Sequence, residues 1–156
     1  MNTYAPLLRP LLLAVALSGA MACAHAVVNP PIRMAPQGIE YMCGGTGKDE
    51  AAFMEMVSPR WAATLEFAVN QDKGSAAAAG VKVRVRNSYN GDAVMEVMAD
   101  APYMLARLDP GSYVVEATLD GLTLIQPLHV FAGQASRAVF VWPSNLSAPT
   151  QTQAAL

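Results

Sequence analysis

The chain has 156 residues, with 10 Lys and Arg against 12 Asp and Glu, and is 53% hydrophobic and 14% charged. That length holds one domain; so apolar a composition excludes a disordered chain, and so balanced a charge offers no electrostatic footprint for nucleic acid. Two His and two Cys leave little material for a metal cage or a histidine-based catalytic centre.

Residues 1–26 read as an export signal. Arg9 and the α-amine supply positive charge, Leu11 to Ala22 is apolar, and Ala24-His25-Ala26 is an A-x-A cleavage site. As a helix, Leu11 to Ala24 would reach about 21 Å at ~1.5 Å per residue, short of the roughly 30 Å hydrocarbon core, so no transmembrane segment is expected. Cys23 opens a rival reading, a lipoprotein anchor. The small Ala22 before it fits an acylation box, although Ala20 stands where an aliphatic residue is usual. The expected location is periplasmic or secreted, with lipidation at Cys23 as the alternative.

Cleavage after Ala26 leaves Cys43 as the mature chain's only cysteine. In an oxidising compartment it has no intrachain partner. It is therefore a buried small hydrophobe, a free reactive thiol, or an interchain link, and the sequence favours the first.

In residues 27–60, Pro30, Pro31 and Pro36 predict an extended arm. Tyr41 to Glu50 reads as a glycine-rich turn entering a short helix over Asp49–Ser58, ended by Pro59. Thr46 and Asp49 have capping-box spacing, and Asp49 and Glu50 suit the positive end of the helix dipole. Phe53, Met56 and Val57 are expected to share the buried face.

From Trp61 the period becomes two. Ala63, Leu65, Phe67 and Val69 form one inward row, followed by a loop over Gln71–Gly80. Val81, Val83 and Val85 form the next, with Asn90-Gly91 as a tight hairpin turn into Ala93–Met98. Pro102 to Leu108 and Tyr113 to Leu119 flank an Asp109-Pro110-Gly111 turn in which Gly111 is expected at positive φ. Asp120-Gly121 turns the chain into Leu122–Phe131, where Pro127 marks an edge strand. Ser136–Trp142 closes the series, and residues 144–156 are a polar tail. Seven strands with turns every eight to twelve residues predict an all-β, seven-stranded antiparallel sandwich over residues 61–143, with one short N-terminal helix.

The stretch Leu108-Asp109-Pro110-Gly111-Ser112-Tyr113-Val114-Val115-Glu116-Ala117, ending at Asp120-Gly121, resembles the carboxypeptidase regulatory-like domain. Such domains are transthyretin-like (prealbumin-like) β-sandwiches that often carry Leu-x-Pro-Gly-x-Tyr-x-Val-x-Ala before a turn. The resemblance covers Ala63 to Trp142. The segment from Cys43 to Glu50 also looks like exported bacterial proteins with this module. The resemblance implies a non-catalytic accessory domain, so neither an enzyme nor a cofactor is expected.

Several constellations invite a chemical reading. Gly44 to Lys48 suggests a phosphate loop, but Met42 stands where that motif needs glycine, and Asp49 where it needs Ser or Thr. Gly44 to Glu50 is still a candidate interaction segment, since three glycines in four positions cost entropy on ordering. Lys82, Arg84 and Arg86 project from one strand face towards an anionic partner or towards Glu66, Glu96 or Glu116 across the sheet. Met54 and Met56, with Cys43 or His129, are the residues a copper-handling protein would use, although scattered methionines ordinarily pack. His129 alternates away from the core, and a Cys43–His129 nucleophile has no supporting context. The reading is an exported non-enzymatic module that binds or supports a protein or glycan partner in the periplasm. Periplasmic copper or metal handling is the alternative.

Overall fold

The alternation that starts at Ala63 builds two packed sheets. The computed structural model describes residues 29–146; the expected export signal, Cys23 and residues 147–156 of the tail lie outside them. The elements are β1 (Arg33–Met34), β2 (Glu40–Gly44), α1 (Lys48–Val57) with a 3-10 turn at Ser58–Arg60, β3 (Ala63–Gln71) and β4 (Gly74–Ala77). They continue through β5 (Val81–Asn87), β6 (Ala93–Ala99), β7 (Tyr103–Ala106), β8 (Gly111–Leu119), β9 (Leu122–Val130) and β10 (Ser136–Trp142). One sheet runs β1-β2-β7-β3-β10, with β4 on the far half of β3; the other runs β6-β5-β8-β9.

The inner faces meet as one core. Leu65, Phe67, Met104, Phe140 and Trp142 from the first sheet pack on Val83, Val85, Met95, Val115 and Ala117 from the second. Phe67, Phe140 and Trp142 stand with ring centroids 5.9–6.3 Å apart. The buried Trp142 indole donates to the Leu122 carbonyl at 2.9 Å, so its N–H is satisfied. That bond spans the seam between β9 and β10, where Gln126 Nε2 also donates to the Val139 carbonyl at 2.6 Å.

Ten strands stand among the described residues, against the seven expected. The additions are β1, β2 and β4. β2 lacks alternation because both its faces are covered: Tyr41 and Cys43 enter the main core, and Met42 a second cluster with Met54, Trp61 and Leu105. Residues 27–60, set apart in the sequence reading, thus supply strands to the first sheet. β4, Gly-Ser-Ala-Ala, carries no periodic signal and pairs with β3 through backbone alone. The sheets are also not wholly antiparallel, since β10 lies parallel to β3 from Ser136↔Ala63 to Trp142↔Val69.

The helix spans nearly the expected residues but presents a different face. Met54 is fully buried under it, whereas Met56 is 69% exposed, and Phe53 and Val57 are half-buried at the margin. Arg137 on β10 pins the helix to the sheet by pairing with both Glu55 and Glu66. The Thr46–Asp49 capping box does not form; Gly47 is the N-cap at φ +86.

Two turn expectations are also corrected. Gly111 has ordinary φ because it already belongs to β8; the corner is held instead by the Tyr113 hydroxyl, which donates to the Asp109 carbonyl at 2.7 Å. The Asn90-Gly91 hairpin is wider than two residues: the Asn87 amide donates to the Asp92 carbonyl, and only Gly91 takes positive φ. Asp120-Gly121 does make a two-residue turn, at φ 47 and 83, between the paired Leu119 and Leu122. Pro127 sits on β9, an edge strand, as its missing donor requires.

Candidate functional site

Register places several loops at one end of the two sheets. Asn87↔Tyr113 and Gly111↔Val130 bring together the end of β5, the start of β8 and the end of β9. Ser136↔Ala63, Ala63↔Ala106 and Tyr41↔Ala106 do the same in the first sheet for β10, β3, β7 and β2. The segments 58–62, 88–92, 107–110 and 131–135 therefore share this end. Loops set on a rigid frame are where binding residues concentrate.

At its second-sheet side stands the tip Ser88-Tyr89-Asn90-Gly91-Asp92. Tyr89 is 97% exposed. The tip is nevertheless tightly bonded. Asn87 Oδ1 accepts from the Tyr89 amide at 2.8 Å, and Asn90 Nδ2 donates to Asp92 Oδ2 at 2.8 Å. The Asp92 amide donates to Asn90 Oδ1 at 3.0 Å, and the Ser88 amide and hydroxyl both donate to the Ser112 carbonyl at 3.0 Å. A large aromatic held out of the core on a pre-organised loop loses little entropy when it enters a partner's pocket.

At the same end a cleft of about 370 Å³ opens between the 3-10 turn, the β7–β8 connection and the β9–β10 connection. Arg60, Trp61, Arg107, Asp109, Phe131 and Gln134 line it. Arg107 lies over the Trp61 ring, 4.6 Å from its centroid, and its Nε pairs with Glu40 at 2.8 Å. Phe131 is 61% exposed. The Gln134 amide donates to the Phe131 carbonyl at 3.2 Å, in a turn that needs Gly133 at φ +76.

The residues singled out from sequence fall elsewhere. Glu50 turns back on its own loop, where Oε1 accepts from the Gly45 amide at 2.8 Å and the Thr46 amide at 3.4 Å. The glycine run has a packing reason: a Cβ on Gly44 would stand 2.7 Å from Pro30 Cγ and 2.8 Å from Met54 Sδ, and one on Gly45 would overlap the Tyr103 ring. Asp49 is exposed in the first helical turn. On the outer face of the second sheet Lys82 and Arg84 both hold Glu96, at 3.0 and 2.9 Å, and Arg86 holds Glu116. The two cations hold the Glu96 carboxyl below its usual range, Lys82 contributing most.

Cys43 is a free thiol, 4% exposed, and burial pushes it up to about 12 with Asp100 adding to the rise. His129 faces outward on β9, its Nδ1 3.0 Å from the Ser112 hydroxyl, so the two are not brought together. Met54 and Met56 lie on opposite sides of α1, one buried and one exposed. Among the described residues no three His, Cys, Asp or Glu side chains gather around one point. No helix among these residues is long and apolar enough to cross a membrane.

Sequence patterning passed over Tyr89, Phe131 and Arg60, because periodicity reports core residues and is silent on loops. The usable signal is chemical: an aromatic inside a Ser-Tyr-Asn-Gly tip has no core to enter. Compared with family models, curated proteins and solved structures, the chain matches none.

Proposed function

We propose that the protein is an exported, non-enzymatic β-sandwich module of the transthyretin-like, carboxypeptidase regulatory-like kind, which binds a protein or glycan partner in the periplasm through its loop end. The observation that carries this reading is Tyr89, almost wholly in solvent on a tip fixed by its own hydrogen bonds. A large aromatic ring that contributes nothing to the core, carried on a backbone tip that is itself fixed, is explained by an external contact. The basic row on β5 is a weaker candidate, because its charges are already answered across the sheet.

Capture from the native envelope tests the reading. Tyr89→Ala should leave stability within about 0.5 kcal/mol of the parent, since nothing packs on an exposed tip. It should weaken partner capture by at least about tenfold, the effect of losing a 1.4 kcal/mol aromatic anchor. Undiminished capture by a stably folded Tyr89→Ala protein contradicts the proposal.

A further inference from the structure

The cleft at the same loop end as Tyr89 narrows the class of partner, and the inference rests on the binding-module reading above: we propose that it receives a neutral, hydroxyl-rich saccharide. Its volume, about 370 Å³, falls within the roughly 300–1,000 Å³ of small-ligand sites. Its charges decide between ligand types. Arg60 carries no ion pair among the described residues, but Arg107 is answered by Glu40, and Asp109 adds a carboxylate to the lining. With Arg107 neutralised by Glu40 from outside the lining, Arg60 and Asp109 remain as one cation and one anion, and the cleft selects neither an anion nor a cation.

What remains is a mixture of planar donors and acceptors. Arg60 and Arg107 offer donors, Asp109 acceptors, and the Gln134 carboxamide both. Sugar hydroxyls are donor and acceptor at once, and a pair of neighbouring hydroxyls matches such flat, two-pronged groups. The exposed Phe131 ring supplies an apolar platform for the C–H face of a pyranose. Placement is pre-organised: Arg107 is clamped between Trp61 and Glu40, Phe131 and Gln134 share one closed turn, and Pro59 and Pro110 stiffen the opposite walls. A peptide fits less well. The lining comes from three connections and presents no open strand edge to extend, and its polar side chains interrupt any groove for an amphipathic helix.

The test uses protein purified from the envelope of cells expressing the full chain. It is titrated calorimetrically with neutral hexasaccharides of β-1,4-linked glucose, α-1,4-linked glucose and β-1,4-linked N-acetylglucosamine, with the galacturonate hexamer, and with an extended proline-rich peptide. Saturable binding of a neutral hexasaccharide is expected, unchanged between low and physiological salt. Phe131→Ala and Arg60→Ala, both on exposed loop positions, should each weaken it tenfold or more while melting like the parent. Asp72→Asn, on the β3–β4 turn, should bind as the parent does. The inference is overturned if no neutral hexasaccharide saturates, if the galacturonate hexamer or the peptide binds more tightly, or if binding survives both substitutions. Should it fail while Tyr89→Ala still abolishes envelope capture, the binding-module reading stands and only the saccharide assignment is lost. Failure of both removes both.

Discussion

Gly45→Ala separates a packing role for the glycine-rich turn from a recognition role. Gly45 has φ +99, where an L side chain is strained by about 1–2 kcal/mol. Its new Cβ would also run into the Tyr103 ring, overlapping Cδ2 and standing 3.1 Å from Cε2. Tyr103 cannot simply swing away, because it packs against the cluster of Met42, Met54, Trp61 and Leu105. Overpacking of that kind adds about 1–3 kcal/mol, so the total is about 2–5 kcal/mol. Gly47→Ala is the internal control. Its φ of +86 and ψ of 169 lie in a region essentially reserved for glycine, but nothing stands within 4 Å of the added carbon, so only backbone strain of about 1–3 kcal/mol applies. Urea denaturation of both variants, fitted at a common m-value, should place Gly45→Ala about 1–3 kcal/mol below Gly47→Ala. In a double-mutant cycle, Tyr103→Leu should recover part of the Gly45→Ala loss. Equal costs for the two glycines, with no coupling to Tyr103, would refute the packing explanation.

Three further outcomes follow from particular groups. Cys43 should resist iodoacetamide in the folded protein and react only on unfolding. Its pKa rises on folding, from 9.0 to about 12, so the unfolded chain ionises first; stability is full below pH about 9 and is lost above it, by up to about 1.4 kcal/mol per pH unit. Cys43→Ala should flatten that alkaline slope, and an unchanged slope would contradict the assignment. Tyr113→Phe should cost about 1 kcal/mol by urea denaturation, the worth of its bond to the exposed Asp109 carbonyl; no loss would mean the corner is held otherwise. Intact mass of the exported protein should match a chain starting at Val27, whereas diacylglycerol on Cys23, abolished by Cys23→Ser, would place it on a membrane.

Legibility in the sequence tracked how each residue is buried. Val81, Val83 and Val85 are buried in the core while the alternating Lys82, Arg84 and Arg86 lie on the outer face, so their alternation was readable. β2 was not, because α1 covers one of its faces and the core the other, which erases the period. The same tertiary cause hid the helix face: Met54 is inward because Trp61, Met42 and Leu105 lie beneath it, a fact no local spacing holds. Gly44 and Gly45 broke local rules and so resembled a functional segment, yet the reason is close approach to Pro30, Met54 and Tyr103, residues far away in sequence or across the turn. The pairing of Lys82 and Arg84 with Glu96 was anticipated, whereas Glu66 proved to serve Arg137. Tyr89 lies in a turn and obeys no period, and Phe131, read as the last residue of a strand, stands just past the end of β9; only the folded chain shows both at one end of the frame.

Whether the loop end meets a partner is answered by site-specific photo-crosslinking in living cells. A photoreactive amino acid is placed at Tyr89, at Phe131 and, as control, at Asp72 on the β3–β4 turn, which belongs to neither the tip nor the cleft. All three positions are exposed, so the probes should leave the fold intact. A discrete crosslinked adduct is expected from positions 89 and 131 and none from 72. Adducts from position 72 alone, or from all three positions equally, would contradict a partner at the loop end.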